Sequence, residues 1–221
     1  MKNTKTTIFL CVMLFASLIC YGCHEKQKDI QNFFYDSETA YSSLMSYSEN
    51  IIQVYNLSAE NEQTITYKDF RIHVNLSEKQ IEEAISDIIG AKEVKKLPDY
   101  SSSKVLFDYY HINDIQSYYF WVHEKDSTDA CLAIIRQAYK KGKTLEKAQK
   151  KIKEVAGSLE NLTDKEQFAI EQYLNSLREL LAYCKEPTDA KSGMQLKEQA
   201  KNYKFVVAEI AKEKYIANYA K

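Results

Sequence analysis

The sequence predicts an all-α protein, a single helical-bundle domain of about six helices over residues 29–221. Three observations carry that reading. Only 5 glycines and 2 prolines occur in 221 residues, too few turn formers for a many-stranded sheet. Apolar residues recur at spacings of three and four along most of the chain, the period of one helix face. Two segments, Ser77-Glu78-Lys79-Gln80 and Thr163-Asp164-Lys165-Glu166, are capping boxes, in which a hydroxyl and a Glu or Gln side chain satisfy two free N–H groups at a helix start.

The first helix is expected from about Asp29 to Tyr55. Ile30, Phe34, Ser37, Tyr41, Leu44, Ser48, Ile51 and Tyr55 share one face, with two serines interrupting the apolar stripe. Residues 64–75 are the one stretch with period-two alternation. Phe70, Ile72 and Val74 would share one side of a strand, and the segment is read as either one minor β-hairpin or an extended loop laid over the helices. Ser77 caps the next helix, with Ile81, Ala84, Ile85 and Ile88 inward. Pro98 and Ser101-Ser102-Ser103 mark a break before a long aromatic helix from about Lys104 to His123.

Another helix is expected from Thr128 to Lys141 with Cys131, Ile134, Ile135 and Ala138 inward, either separate from the aromatic one or joined to it by a kink at Asp126-Ser127. Gly142 closes it and Thr144 caps its successor, whose stripe is Leu145, Ala148, Ile152, Val155, Leu159 and Leu162. The helix after Thr163 carries Ile170, Leu174, Leu177, Leu181 and Cys184 at the same spacing and ends by Pro187. These two stripes describe an αα-hairpin. Ser192-Gly193-Met194-Gln195 starts the last helix, with Leu196, Tyr203, Val207 and Ile210 inward. No stripe lasts three heptads, so an intramolecular bundle is preferred to an intermolecular coiled coil.

The N-terminus has a different character. Lys2 and Lys5 precede an apolar run from Ile8 to Cys20, followed by Tyr21-Gly22-Cys23 and the charged stretch His24 to Asp29. A run of 13 residues suits the core of an export signal and is too short to span a bilayer as a helix, which takes about 20. The segment resembles a bacterial lipoprotein signal, whose pattern is Leu, two small residues and then the cysteine that receives lipid. Gly22 and Cys23 match that pattern, and Cys20 and Tyr21 depart from it. The expected organisation is a lipoprotein signal peptide at 1–22, a lipidated tether at 23–28 and the helical domain at 29–221, with Cys23 the lipidation site.

Removing residues 1–22 takes away two of the 30 basic residues and none of the 31 acidic ones, leaving a net charge of −3. So balanced a surface gives no reason to expect nucleic acid. Cys131 and Cys184 would remain in a compartment where disulfides form. They are read either as a pair or as two separately buried thiols. His73, His111 and His123 lack the i,i+4 spacing of two metal ligands on one helix, and no phosphate loop or nucleophile elbow occurs. The expectation is therefore no enzyme, no metal, no cofactor, no catalytic residue, and no indicated small-molecule substrate. Asn56-Leu57-Ser58, Asn75-Leu76-Ser77 and Asn161-Leu162-Thr163 match a glycosylation pattern, but their hydroxyl residues are better read as helix starts and turns. Tyr109, Tyr110, Tyr118, Tyr119 and Trp121 surround the aromatic helix. They mark either a central helix buried on several sides or an exposed patch for a partner, since such residues dominate interface hot spots.

The loose lipid box at Cys23, the short charged tether and a Lys-, Ile- and Tyr-rich helical chain together resemble the outer-surface lipoproteins of Borrelia-like spirochaetes. That resemblance implies a palmitate-bearing surface antigen anchored in the cell outer membrane, whose helical domain binds a host protein. The alternative is a periplasm-facing lipoprotein with a structural or assembly role in the envelope.

Overall fold

The computed structural model describes residues 33–57, 64–96, 102–124, 128–155 and 162–212. The signal peptide, Cys23, the tether, Ile30 and Leu159 lie outside the described residues. Among the described residues the chain is all-α, with nine helices and no strand. They are α1 (33–57), α2 (Tyr67–Val74), α3 (Glu78–Ile89), α4 (Ala91–Val94), α5 (Ser103–Tyr109), α6 (Ile115–Glu124), α7 (Thr128–Val155), α8 (Asp164–Lys185) and α9 (Ala190–Ala211).

The architecture follows from α7. Its 28 residues make a rod about 42 Å long at 1.5 Å per residue, and one stripe along it serves two separate hydrophobic clusters. Cys131, Ile134, Ile135 and Ala138 pack with Ile65, α2, α3, α5 and α6. Leu145, Ala148, Ile152 and Val155 pack with α1, α8 and α9. Between the two sets, at the stripe position after Ala138, stands the buried Lys141.

Helix α1 lays Phe33, Ala40, Leu44 and Ile51 into the second of these clusters. Ser37 and Ser48, the interruptions in its stripe, are buried, and their hydroxyls donate to the carbonyls of Phe34 (3.2 Å) and Met45 (3.0 Å) in the same helix. That removes the penalty of burying a hydroxyl without a partner. Ion pairs from Asp36 to Lys151 (2.8 Å), Glu38 to Lys204 (2.7 Å) and Glu49 to Lys197 fasten α1 to α7 and α9.

The capping boxes at Ser77 and Thr163 are both formed. The inward residues expected on α8 are all buried, as are those at Cys131, Ile134, Ile135 and Ala138. Four expectations are corrected. Residues 67–74 are helix α2, not a hairpin or loop. Thr66 and Asp69 form a third capping box, and Phe70 and Val74 are buried one turn apart while Ile72 points to solvent. The long aromatic helix is broken into α5 and α6. His111, at φ 51°, takes the left-handed conformation, and the N–H groups of His111 and Ile112 donate to the carbonyls of Asp108 (3.0 Å) and Phe107 (3.1 Å). This is a Schellman turn with a buried Ile112–Phe107 pair behind it.

The third correction is that α7 runs straight through Gly142. Burial of Ala138 and Leu145 on either side outweighs the glycine's cost of about 1 kcal/mol in a helix. Thr144 caps nothing, and its hydroxyl donates to the Lys140 carbonyl at 2.9 Å. Finally, α9 starts at Ala190 with Asp189 as its cap, whose carboxylate accepts from the Ser192 N–H at 2.8 Å.

Candidate functional site: a cleft over the middle of α7

Lys141 sits where a leucine or alanine would continue the stripe, and its charge organises the junction between the two clusters. The side chain is 4 % exposed and pairs with Asp114, itself 9 % exposed. Asp114 has a second duty. Its other carboxylate oxygen accepts from the Ser117 N–H at 2.8 Å, capping the first turn of α6. Beside this pair, the Tyr47 hydroxyl of α1 donates to Gln116 of α6 at 2.7 Å. Burial, and then the Asp114 charge, push the Tyr47 phenol well above its ordinary range. The junction between clusters is thus a satisfied polar network that joins α1, α6 and α7.

Above the junction lies a cleft of about 650 Å³. Gly142 forms part of its lining, and nothing lies within 4 Å of where a Cβ on that glycine would stand. Part of the lining is aromatic. Tyr109 and Tyr110 meet edge to face at 5.0 Å, and Tyr110 meets Tyr139 at 5.7 Å. The rest is charged, with Lys143 lying over the Tyr139 ring, 5.6 Å from its centroid. Lys96 and Lys143 both reach Glu93, at 2.8 and 3.3 Å, and Lys143 also reaches Glu146 at 3.2 Å. Hydrogen bonds from Lys96 and then Lys143 hold the Glu93 carboxyl below the usual range. Lys185, in the last turn of α8, donates to the neutral side-chain carbonyl of Gln149 at 2.9 Å. His111 completes the rim, exposed on its left-handed turn.

The aromatic residues singled out from sequence do not form one exposed patch. Trp121 is buried against Phe70 and His73. Tyr110 is buried, and Tyr118 and Tyr119 are half-buried. Tyr109 alone of the five is exposed, and with Tyr110 it belongs to the cleft. The central-helix reading therefore holds for Trp121, and the partner patch is corrected to two tyrosines at a cleft wall. Of the two readings of the cysteines, separate burial is the one the structure shows. Cys131 and Cys184 are free, buried in different clusters, each filling a helix face as a small apolar residue. Burial pushes the Cys184 thiol up to about 12 and the Cys131 thiol in the same direction.

His73 Nδ1 donates locally to the Asp69 carbonyl (2.9 Å), and His123 lies against Tyr119. No group of three His, Cys, Asp or Glu residues suited to a metal occurs among the described residues. No described helix is long and apolar enough to cross a membrane. The glycosylation-like triplets that fall on described residues serve as caps. Asn75 takes the left-handed C-cap of α2, Ser77 starts α3 and Thr163 starts α8.

Sequence reasoning gave no functional role to Lys141, Asp114 or Lys185, and read Gly142 only as a helix end. A signal existed for the first: a lysine at a stripe position between Ala138 and Leu145. No protein-family model matches the chain, and no curated protein or solved structure matches it significantly.

Proposed function

We propose that this chain is a bacterial envelope lipoprotein, held to a membrane by lipid on Cys23, whose helical domain binds a protein at the cell surface. The observation that carries this reading is the order of residues at the N-terminus: Lys2 and Lys5, an apolar run of 13 residues, then Gly22-Cys23 and a charged tether. That order is what an exporting and lipid-transferring system acts on. The reading accounts for the cysteines too. Cys23 is the one offered a chemical fate, while the thiols of Cys131 and Cys184 are buried and raised away from reactivity.

Two measurements test it. Cells grown with a clickable palmitate analogue should label the wild-type protein and leave the Cys23→Ala variant unlabelled; equal labelling of both sinks the anchor. Protease added to intact cells should then remove the helical domain. Complete protection would assign the protein to the inner, periplasm-facing side instead.

A further inference from the structure

We propose that the cleft over Gly142 is a binding site for a small organic anion whose carboxylate is attached to a flat ring. The inference does not depend on the lipid anchor, and it goes beyond protein binding to a separate ligand class.

The volume of about 650 Å³ falls in the range of small-molecule sites, roughly 300–1,000 Å³. Its lining carries both chemistries that such a ligand would require. The Tyr109, Tyr110 and Tyr139 rings offer an edge-to-face row against which a flat apolar body can lie. The same lining carries four lysines and two glutamates, and the Lys143 ammonium lies over the Tyr139 ring, 5.6 Å from its centroid. Lys141 is answered by Asp114, and Lys96 and Lys143 by Glu93 and Glu146. Lys185 differs, because its partner within the cleft is the neutral Gln149 amide. An ammonium held by an amide keeps both its charge and further donors for an incoming carboxylate.

Gly142 is the second, independent observation. In the interior of a 28-residue helix glycine is the costly choice by about 1 kcal/mol. No packing demands it, since nothing lies within 4 Å of a Cβ built there. What a side chain at that position would occupy is the cleft itself. His111 adds to the pattern. Its left-handed turn is one that glycine fills at least cost, yet the chain places a ring with a polar nitrogen there, on the rim.

The test uses fluorine NMR on the full chain with para-fluorobenzoate as the probe and para-fluorobenzamide as its neutral counterpart. The benzoate should show saturable line broadening, with affinity about tenfold or more above the amide, as expected for a charge-assisted hydrogen bond. Lys185→Gln should weaken the benzoate about tenfold. Gly142→Leu, a helix-favouring change, should abolish binding while leaving the melting temperature equal or higher, which separates a blocked cleft from a damaged fold. Lys204→Gln, on the far groove between α1 and α9, should bind as wild type. Absence of saturable broadening overturns the proposal, as does benzoate affinity left unchanged by Lys185→Gln or by Gly142→Leu.

Discussion

Replacing Gly193 by alanine puts a methyl group of α9 against the Tyr183 ring of α8. A Cβ there would stand 2.5 Å from Cζ and 2.8 Å from Cε1 of Tyr183, well inside van der Waals contact. Tyr183 cannot swing clear without loss, because it is 4 % exposed and its hydroxyl donates to the Asp189 carbonyl at 3.0 Å, just before α9 begins. Overpacking of this kind costs about 1–3 kcal/mol, and loss of the hydroxyl's bond adds about 1 kcal/mol. Alanine returns up to about 1 kcal/mol of helix propensity, so the net loss is about 1–3 kcal/mol. The same substitution at Gly142 meets nothing within 4 Å and should gain about 0.5–1 kcal/mol. Equilibrium urea unfolding followed by circular dichroism reads both, with equal m-values confirming that the denatured states are comparable. Two identical chemical changes, each inside a helix, are thus expected to move stability in opposite directions. If Gly193→Ala proves as stable as Gly142→Ala, the close approach of α9 to Tyr183 is refuted.

Lys141→Met should lose about 3–5 kcal/mol, because it leaves Asp114 buried without its cation; adding Asp114→Asn should recover most of that loss in the same unfolding assay, since asparagine keeps a cap for Ser117 without the charge. His111→Gly should raise stability by about 0.5–1 kcal/mol by relieving the left-handed position, and a fall would show that the turn after α5 differs. Burial holds the phenols of Tyr47, Tyr110, Tyr173 and Tyr183, and the Cys184 thiol, in their neutral forms above the ordinary range. The folded state therefore keeps protons that the unfolded state releases, so stability should be complete below about pH 8.5 and fall as pH rises through about 9–12; unchanged urea midpoints across that window would count against the burial of these groups. In the same samples Cys131 and Cys184 should resist a thiol reagent near neutral pH until the chain unfolds, and rapid labelling of the folded protein would contradict their placement.

Local signals translated into structure wherever burial agreed with them. Ser77 and Thr163 cap helices, and the α8 stripe from Ile170 to Cys184 faces inward throughout. The departures have identifiable physical causes. At 64–75 the β-branched alternation was a weaker fact than the hydroxyl at Thr66 and the carboxylate at Asp69, which together start a helix. At Gly142 a local breaker met two packed clusters that hold the helix on both sides. At His111 the chain turns without the glycine that usually marks such a turn. The cleft was not legible at all, because Tyr109, Tyr139 and Lys185 lie far apart in sequence and meet only through packing around α7. Cys131 and Cys184 illustrate the same limit. Each was correctly placed inward, but their assignment to separate clusters is a tertiary fact.

The claim on which the functional account turns is the chemical fate of Cys23, and mass spectrometry of the N-terminal peptide of the protein purified from its own cells measures it directly. The account predicts a mature chain that begins at Cys23 and carries acyl chains on it. A chain that begins elsewhere, or an unmodified Cys23, would contradict it.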